Sequence, residues 1–263
     1  MTRYSWLKTI FIVALLSEIL VAVAPGLVKA EDSRPAIEYV YPDQSVWTSR
    51  VDADGVLANP LHPFVETLLS RMQLAWSARA YPAERLFRRL EHGESNFSIL
   101  VKAPRLMESC IFSKTPVTFT ELRVYRKTKS PAVIAKEGLK RKSVIAILGY
   151  SYGNIAQYLS EPDNGIEVHS AKTHDSAFQM LTHGRAEYLL DYSGPSDEIL
   201  AWRPHDHVVH DVLERLDVYL VLSKNYPDAE QMMENMETVP ATIDVSQWGL
   251  PRPEAERGSN NQQ

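Results

Sequence analysis

The chain has 263 residues, of which 44% are hydrophobic, and a formal net charge of −5. A mildly acidic chain without a run of Lys and Arg argues against nucleic acid and against an anionic membrane surface, since both bind clustered positive charge. The single cysteine, Cys110, has no partner for an internal disulfide, and its apolar neighbours predict a buried, unreactive thiol.

The first thirty residues have the pattern of a secretory signal peptide. Arg3 and Lys8 accompany an apolar run from residue 9 to 23, and Val28-Lys29-Ala30 supplies the small residues that signal peptidase reads. The run is shorter than the roughly 20 residues that a bilayer crossing needs, and Glu18 interrupts it. The sequence predicts cleavage after Ala30, no stable membrane anchor afterwards, and a periplasmic location.

Strands and helices alternate along the first half of the mature chain. Apolar positions three and four residues apart predict a helix from residue 61 to 72. Pro82 and Gly93 predict the start and the end of a second helix. Asp52-Ala53-Asp54-Gly55 predicts a turn. Clusters of apolar and β-branched residues predict strands at residues 36–41, 97–101 and 119–125.

The alternation continues in the second half. Residues 143–148 form a continuous apolar run, which is typical of a strand that is covered on both faces. Asp175 is expected to cap a helix over residues 176–183. Further strands are predicted at residues 165–171, 186–190 and 212–223, and further helices after Gly153 and at residues 232–236. Alternating strands and helices indicate an α/β architecture, with two sheets expected rather than one.

Two stretches of the chain resemble each other. Residues 90–100 and 181–191 lie 91 residues apart, and in both an amphipathic helix runs into Gly and then into an apolar strand. The offset exceeds the 20 to 50 residues that are typical of solenoid repeats. It predicts two lobes that each contain one copy of this unit, with a cleft between them where a small molecule can bind.

Short motifs follow one another between about residues 36 and 225. They are Asp54-Gly55, Pro82-x-x-Arg85-Leu86-x-x-x-Leu90-x-x-Gly93, Arg105-x6-Phe112-Ser113-x-x-Pro116, Leu139-Lys140-x-Lys142-Ser143-Val144, Gly149-x-Ser151 and Leu181-x-x-Gly184-Arg185-Ala186-Glu187. Their order and spacing resemble the family 3 extracellular solute-binding proteins, which are type II periplasmic binding proteins.

The resemblance implies a two-lobed α/β fold in which each lobe is a mixed, mostly parallel sheet flanked by helices. The implied segments are a signal peptide at 1–30, lobe 1 at 31–118 plus 218–250, lobe 2 at 119–217, and a disordered tail at 251–263. The implied function is the capture of a small polar solute, such as an amino acid, by hinge closure. No catalysis, cofactor or metal is implied, and the expected partner is an ABC permease or a sensor.

The resemblance also implies ligand contacts. Arg105 corresponds to the Arg that binds the α-carboxylate of an amino acid, and Asp191 to the carboxylate that receives the α-amino group. Ser151 and the amides near Tyr150 correspond to an anion-binding loop at a helix N-terminus, and Trp47 to an aromatic side chain over the ligand. The chain has Asn96 where the family commonly has Asp, which leaves open a member that no longer binds amino acids.

A serine esterase is the alternative that the motifs leave open. Residues 149–153 read G-x-S-x-G after an apolar strand and before a helix, which is the context of a nucleophile elbow in an α/β-hydrolase. Ser151 is then the nucleophile, Asp191 the acid, and the base is one of His205, His207 and His210. No oxyanion segment of the His-Gly-Gly type precedes the serine. The same histidines lack the partner spacing of a zinc site.

Overall fold

The computed structural model describes residues 35–50, 58–153 and 155–253. The predicted signal peptide, the turn predicted at residues 52–55 and most of the predicted tail lie outside the described residues. Within them, none of the helices is both long and apolar enough to span a bilayer.

The sequence pattern places most of the elements correctly. The described strands are β1 (Ile37–Pro42), β2 (Trp76–Tyr81), β3 (Phe97–Val101), β4 (Cys110–Phe112), β5 (Thr118–Lys127), β6 (Ser143–Ile147), β7 (Glu167–Ala171), β8 (Tyr188–Tyr192) and β9 (Val208–Ser223). The described α-helices are α1 (His62–Arg71), α2 (Ala83–Glu91), α3 (Ile155–Ser160), α4 (His174–Thr182), α5 (Ser193–Trp202) and α6 (Ala229–Thr238).

The strands form one mixed sheet in the order β2-β1-β3-β9-β5-β8-β6-β7, with β4 also paired to β9. The strands β1, β2 and β3 are parallel at one end, and β6, β7 and β8 are parallel at the other. Between them, the long strands β5 and β9 run antiparallel to each other and to their outer neighbours. The expected two sheets are therefore joined into one, because β5 and β9 pair with each other along ten residues of β5.

Strand β9 changes its pairing partner at Val218. This residue of β9 pairs with Val101 at the end of β3 and also with Thr118 at the start of β5. Buried side chains form separate groups on the two sides of this point. We call the part built on β1–β4, α1, α2 and α6 the first lobe, and the part built on β6–β8 and α3–α5 the second lobe.

The repeated helix-Gly-strand unit is confirmed. In the first lobe α2 ends before Gly93, which has a φ of +68°, and the chain continues into β3. In the second lobe α4 ends before Gly184, which has a φ of +73°, and the chain continues into β8. A positive φ favours glycine because a side chain would clash with the backbone. The strands β3 and β8 also hold equivalent places in the sheet, next to β9 and β5 respectively.

Several sequence predictions differ from the structure. Asp175 does not cap α4, because Thr173 occupies the cap position and exchanges hydrogen bonds with Ser176. The last strand is predicted from residue 212, but β9 already begins at Val208. The elements β2, β4 and α5 were not predicted.

Two further local predictions have different outcomes. The prediction of a buried thiol is confirmed, since Cys110 is 3% exposed and burial raises its pKa. The first residues of the predicted tail are held by hydrogen bonds: Thr118 Oγ1 donates to the carbonyl oxygen of Pro251, and Arg252 pairs with Asp244 at 2.5 Å.

Candidate functional site

A cavity of about 50 Å³ lies where the two lobes meet. Its lining comes from both lobes, and those of its lining residues that the structure describes carry no charge. The aromatic lining residues are Tyr39, Tyr41, Trp47, Phe87, Tyr150 and Tyr192, and the other polar ones are Ser45, Asn59 and Ser151. The volume is well below the roughly 300–1,000 Å³ of a typical small-molecule site. The space between the linings of the two lobes is therefore narrow in this structure.

The loop after β6 brings Tyr150 and Ser151 to the cavity. Gly149 and Gly153 flank this loop with φ of +83° and +65°, and Tyr152 between them has a φ of +46°. A side chain at Gly149 would approach the backbone nitrogen of Glu84 in the first lobe to 3.3 Å. The Tyr150 hydroxyl donates to the carbonyl oxygen of Gln44, also in the first lobe. The loop is thus a contact between the lobes as well as a wall of the cavity.

Two tyrosines of this loop pack together with Tyr192 of β8. The rings of Tyr150, Tyr152 and Tyr192 lie 5.4 to 5.7 Å apart between centroids. Tyr152 is held by the backbone N–H of Ile147, which donates to its hydroxyl oxygen at 2.6 Å. Burial raises the pKa of all three phenols, and the Asp191 carboxylate nearby adds to the effect. These hydroxyls are therefore neutral hydrogen-bonding groups and not bases.

Asp191 lies at the end of β8 and is fully buried. Both of its carboxylate oxygens accept from His174 Nδ1, at 2.8 and 2.9 Å, and the backbone N–H of Tyr192 adds a bond of 2.8 Å. His174 is 3% exposed at the first residue of α4, and its ring centroid is 6.0 Å from that of Tyr150. The Nε2 atom of His174 has no hydrogen-bond partner among the described residues.

Arg105 lies in a short 3₁₀ helix, Pro104–Leu106, and faces α2. Its guanidinium donates to both carboxylates that α2 presents, with Nε 2.5 Å from Glu91 and Nη1 2.9 Å from Glu84. Its Nη2 atom contacts the same two side chains. The hydrogen bond from Arg105 lowers the pKa of Glu91. This arginine is therefore already neutralised within the first lobe.

The structure brings some of the sequence-predicted site residues together and separates others. Trp47, Tyr150 and Ser151 line the cavity between the lobes. Asp191 lies directly before the cavity residue Tyr192, but it is paired with His174 and is not itself among the lining residues. Arg105 is not among them either, and it is paired with α2.

Tyr39, Tyr41 and Asn59 also line the cavity, and the sequence motifs do not predict them there. Tyr39 and Tyr41 alternate on β1 and stack on each other with centroids 5.4 Å apart, and Asn59 Nδ2 donates to the Tyr39 hydroxyl at 3.1 Å. The two-residue spacing of the tyrosines places both on one face of the strand, so the sequence contained a signal for this wall.

The geometry does not assemble the triad of a serine hydrolase. In a nucleophile elbow the serine sits on a strained turn. Here the positive φ angles belong to the neighbours of Ser151 and not to Ser151. Within the described residues, Asp191 pairs with His174, which precedes it, and the side chain of Ser151 forms no hydrogen bond to a histidine. Nor do those residues contain three or more His, Cys, Asp or Glu placed to hold a metal ion.

Several solved structures have the same architecture at low sequence identity. The substrate-binding protein of an amino acid ABC transporter matches at 11% identity with a TM-score of 0.62, covering 81% of this chain and 96% of that one. An ancestral arginine-binding protein bound to arginine matches at 15% identity with a TM-score of 0.65, covering 82% and 96%. A histidine kinase sensor domain that is similar to periplasmic binding proteins matches at 16% identity with a TM-score of 0.69, covering 84% and 100%.

No protein-family model matches the chain, and no curated protein matches it. At these identities the matches establish the fold.

Proposed function

We propose that this chain, which has the two-lobed fold of the type II periplasmic binding proteins, is a solute-binding protein. It captures a small polar solute, an amino acid or a molecule of similar size, in the cavity between its lobes. Closure of the lobes excludes water, and each hydrogen bond to the solute then strengthens in the lower dielectric.

The observation that carries this proposal is the composition of the cavity wall. The first lobe supplies Trp47 and the second lobe supplies Tyr150 and Ser151, so a solute in contact with all three is held by both lobes at once. A ligand that contacts both lobes only when they are together stabilises the closed arrangement by its differential affinity. Aromatic rings and neutral hydroxyls suit a compact solute with an apolar part and hydrogen-bonding groups.

The lobe boundaries are part of the proposal. We place lobe 1 at residues 31–118 and 218–250, and lobe 2 at residues 119–217. The position of Val218, where β9 changes partner from β5 to β3, supports these boundaries. The separate groups of buried side chains also support them, since one is built mainly from residues 122–216 and another from residues 37–117 and 218–250.

Arg105 and Asp191 show whether the solute is an amino acid that binds through its charged carboxylate and ammonium groups. For a zwitterion to bind as the resemblance implies, Arg105 must leave Glu84 and Glu91, and Asp191 must exchange His174 for an ammonium group. Removing one partner of a desolvated charge pair costs about 2–5 kcal/mol, or roughly 30-fold to several thousand-fold in affinity. Losses of this size in both Arg105→Ala and Asp191→Ala support a zwitterion. Unchanged affinity in both variants assigns the solute to the neutral groups of the cavity.

A thermal-shift screen of residues 31–263 against amino acids, small peptides and organic acids tests the proposed function. A solute at one hundred times its Kd adds about 2.7 kcal/mol of stability. For a domain of this size that raises Tm by about 5–11 °C. The shift should disappear in Trp47→Ala and persist in Trp202→Ala, because Trp202 is 57% exposed on α5 and lies outside the cavity lining. A shift that Trp47→Ala leaves unchanged would refute this placement of the solute.

A partner protein must recognise the closed, solute-bound form. We propose that this partner is an ABC permease or a sensor. The sensor is a second candidate because a histidine kinase sensor domain matches over 84% of this chain and 100% of its own. The fate of the N-terminus separates the two. A receptor released into the periplasm should begin at Glu31, which mass spectrometry of the exported protein reveals. An exported chain that retains residues 1–30 favours a membrane-attached sensor.

A further inference from the structure

The segment that follows β1 contacts both lobes. We call residues 43–50 the strap. Val46 packs against the apolar core of the second lobe, whereas its neighbour Trp47 packs against the core of the first lobe. Internal hydrogen bonds shape the strap, since Ser45 Oγ accepts from the backbone N–H of Trp47 at 3.1 Å and Thr48 Oγ1 accepts from that of Arg50 at 3.0 Å. The strap therefore places a cavity residue and bridges the lobes.

One carboxylate of the second lobe holds the far end of the strap. Glu198 lies on α5, and its Oε2 atom accepts from Thr48 Oγ1 at 2.7 Å and from the backbone N–H of Ser49 at 2.7 Å. The Ser49 hydroxyl adds a third bond to the same oxygen at 3.2 Å, and Arg50 Nε lies 2.8 Å from Oε1. Three consecutive residues of the strap are thus held by a single side chain.

One turn before Glu198, helix α5 has a glycine, Gly194, where it meets the strap. Gly194 precedes Glu198 by four residues, so both lie on one face of α5. A methyl group built on Gly194 would come within 2.4 Å of the carbonyl oxygen of Trp47. Only a residue without a side chain permits this approach of the strap backbone to the helix. Gly194 and Glu198 together form a docking face for the strap.

We propose that Gly194 and Glu198 form a latch that sets solute affinity by stabilising the closed arrangement of the lobes. The proposal rests on the proposed function. Glu198 is not among the residues that line the cavity, so it acts through the strap and the position of Trp47. When a solute binds only the closed arrangement, its apparent affinity is reduced by the fraction of molecules that are open. Weakening the latch therefore weakens binding, although neither Gly194 nor Glu198 lines the cavity.

The test compares Glu198→Ala with Asp197→Ala, its matched control. Asp197 is the preceding residue of α5 and pairs with Arg123 at 2.6 Å within the second lobe. Spin labels on cysteines introduced at the exposed positions Glu230 in the first lobe and Asp163 in the second report the distance between the lobes. Without any solute, Glu198→Ala should move the distance distribution to longer values, whereas Asp197→Ala should leave it as in the parent.

A second variant and a kinetic readout complete the test. Gly194→Ala keeps every hydrogen-bonding group and should also lengthen the distance, because the added methyl group displaces the strap. With a solute selected by the screen, Glu198→Ala should weaken affinity about 10- to 100-fold, mostly through a faster dissociation rate. Distance distributions of both latch variants that match the parent would overturn the latch. That result does not affect the proposed function. If the screen finds no solute, the distance measurement still tests the latch, because it is made without solute.

Discussion

Replacing His174 by Ala tests the buried pair that lies under the cavity. The Asp191 carboxylate is fully buried, and two of its three hydrogen bonds come from His174 Nδ1. In His174→Ala the carboxylate keeps only the backbone N–H of Tyr192. Breaking a buried pair by removing one partner costs about 3–5 kcal/mol, because the other charge stays buried without compensation.

The expected loss is large enough to measure by calorimetry. At about 2–4 °C per kcal/mol for a domain of this size, Tm should fall by roughly 6–20 °C. Arg105→Ala is the comparison, because Arg105 is 35% exposed and its partners Glu84 and Glu91 are 57% and 24% exposed, and solvent-accessible pairs contribute about 1 kcal/mol or less each. The double variant His174→Ala, Asp191→Ala should lose less than the sum of the single variants, since no orphaned charge remains.

The stability of His174→Ala shows whether the His174–Asp191 pair is structural or whether Asp191 is available to bind a solute. A loss below about 1 kcal/mol in His174→Ala would mean that water reaches the Asp191 carboxylate, which contradicts its burial in this arrangement. A loss that a zwitterionic solute restores would place the solute's ammonium group at Asp191. Without such rescue, the pair is a structural support for the Tyr150 wall of the cavity.

Three further predictions concern single side chains. Ser151 should form no stoichiometric adduct with a serine-directed fluorophosphonate, and an adduct that Ser151→Ala abolishes would establish the hydrolase instead. Cys110 should react with a thiol reagent at pH 8 only after unfolding, because burial raises its pKa; fast labelling of the native protein would contradict its burial. The hydrogen bond from Arg126 lowers the pKa of Asp211, so the stability that Asp211 adds over Asp211→Asn is present above about pH 4. It should shrink as the pH falls further, and a pH-independent difference between the two proteins would refute the pairing.

The sequence predicts those helices and strands whose hydrophobic pattern matches their burial in the folded protein. The helix-Gly-strand units at Gly93 and Gly184 are the best example, because a positive φ, an amphipathic helix and a covered strand each leave a local mark. By contrast, β2 is an edge strand with the exposed residues Ser77 and Arg79, so it lacks an apolar run. The first turn of α5 contains Gly194 and Pro195, which are typical of loops although a first turn tolerates proline.

The candidate site is only partly visible in the sequence. Resemblance to a family predicts Trp47, Tyr150 and Ser151 as ligand contacts, and all three line the cavity. The partners of the charged residues could not be assigned, since Arg105 meets Glu84 and Glu91 across 21 and 14 residues. Such pairs depend on how an element packs in three dimensions, and hydrophobic periodicity contains no information about them.

A fluorescence titration shows whether the solute binds between the lobes, because Trp47 lies in the cavity wall. With a solute selected by the thermal-shift screen, the protein should give a saturable change in tryptophan emission. Trp47→Phe should abolish that change, while Trp202→Phe, which alters an exposed tryptophan of α5, should retain it. An emission change that persists in Trp47→Phe would contradict the claim that the solute binds between the lobes beside Trp47.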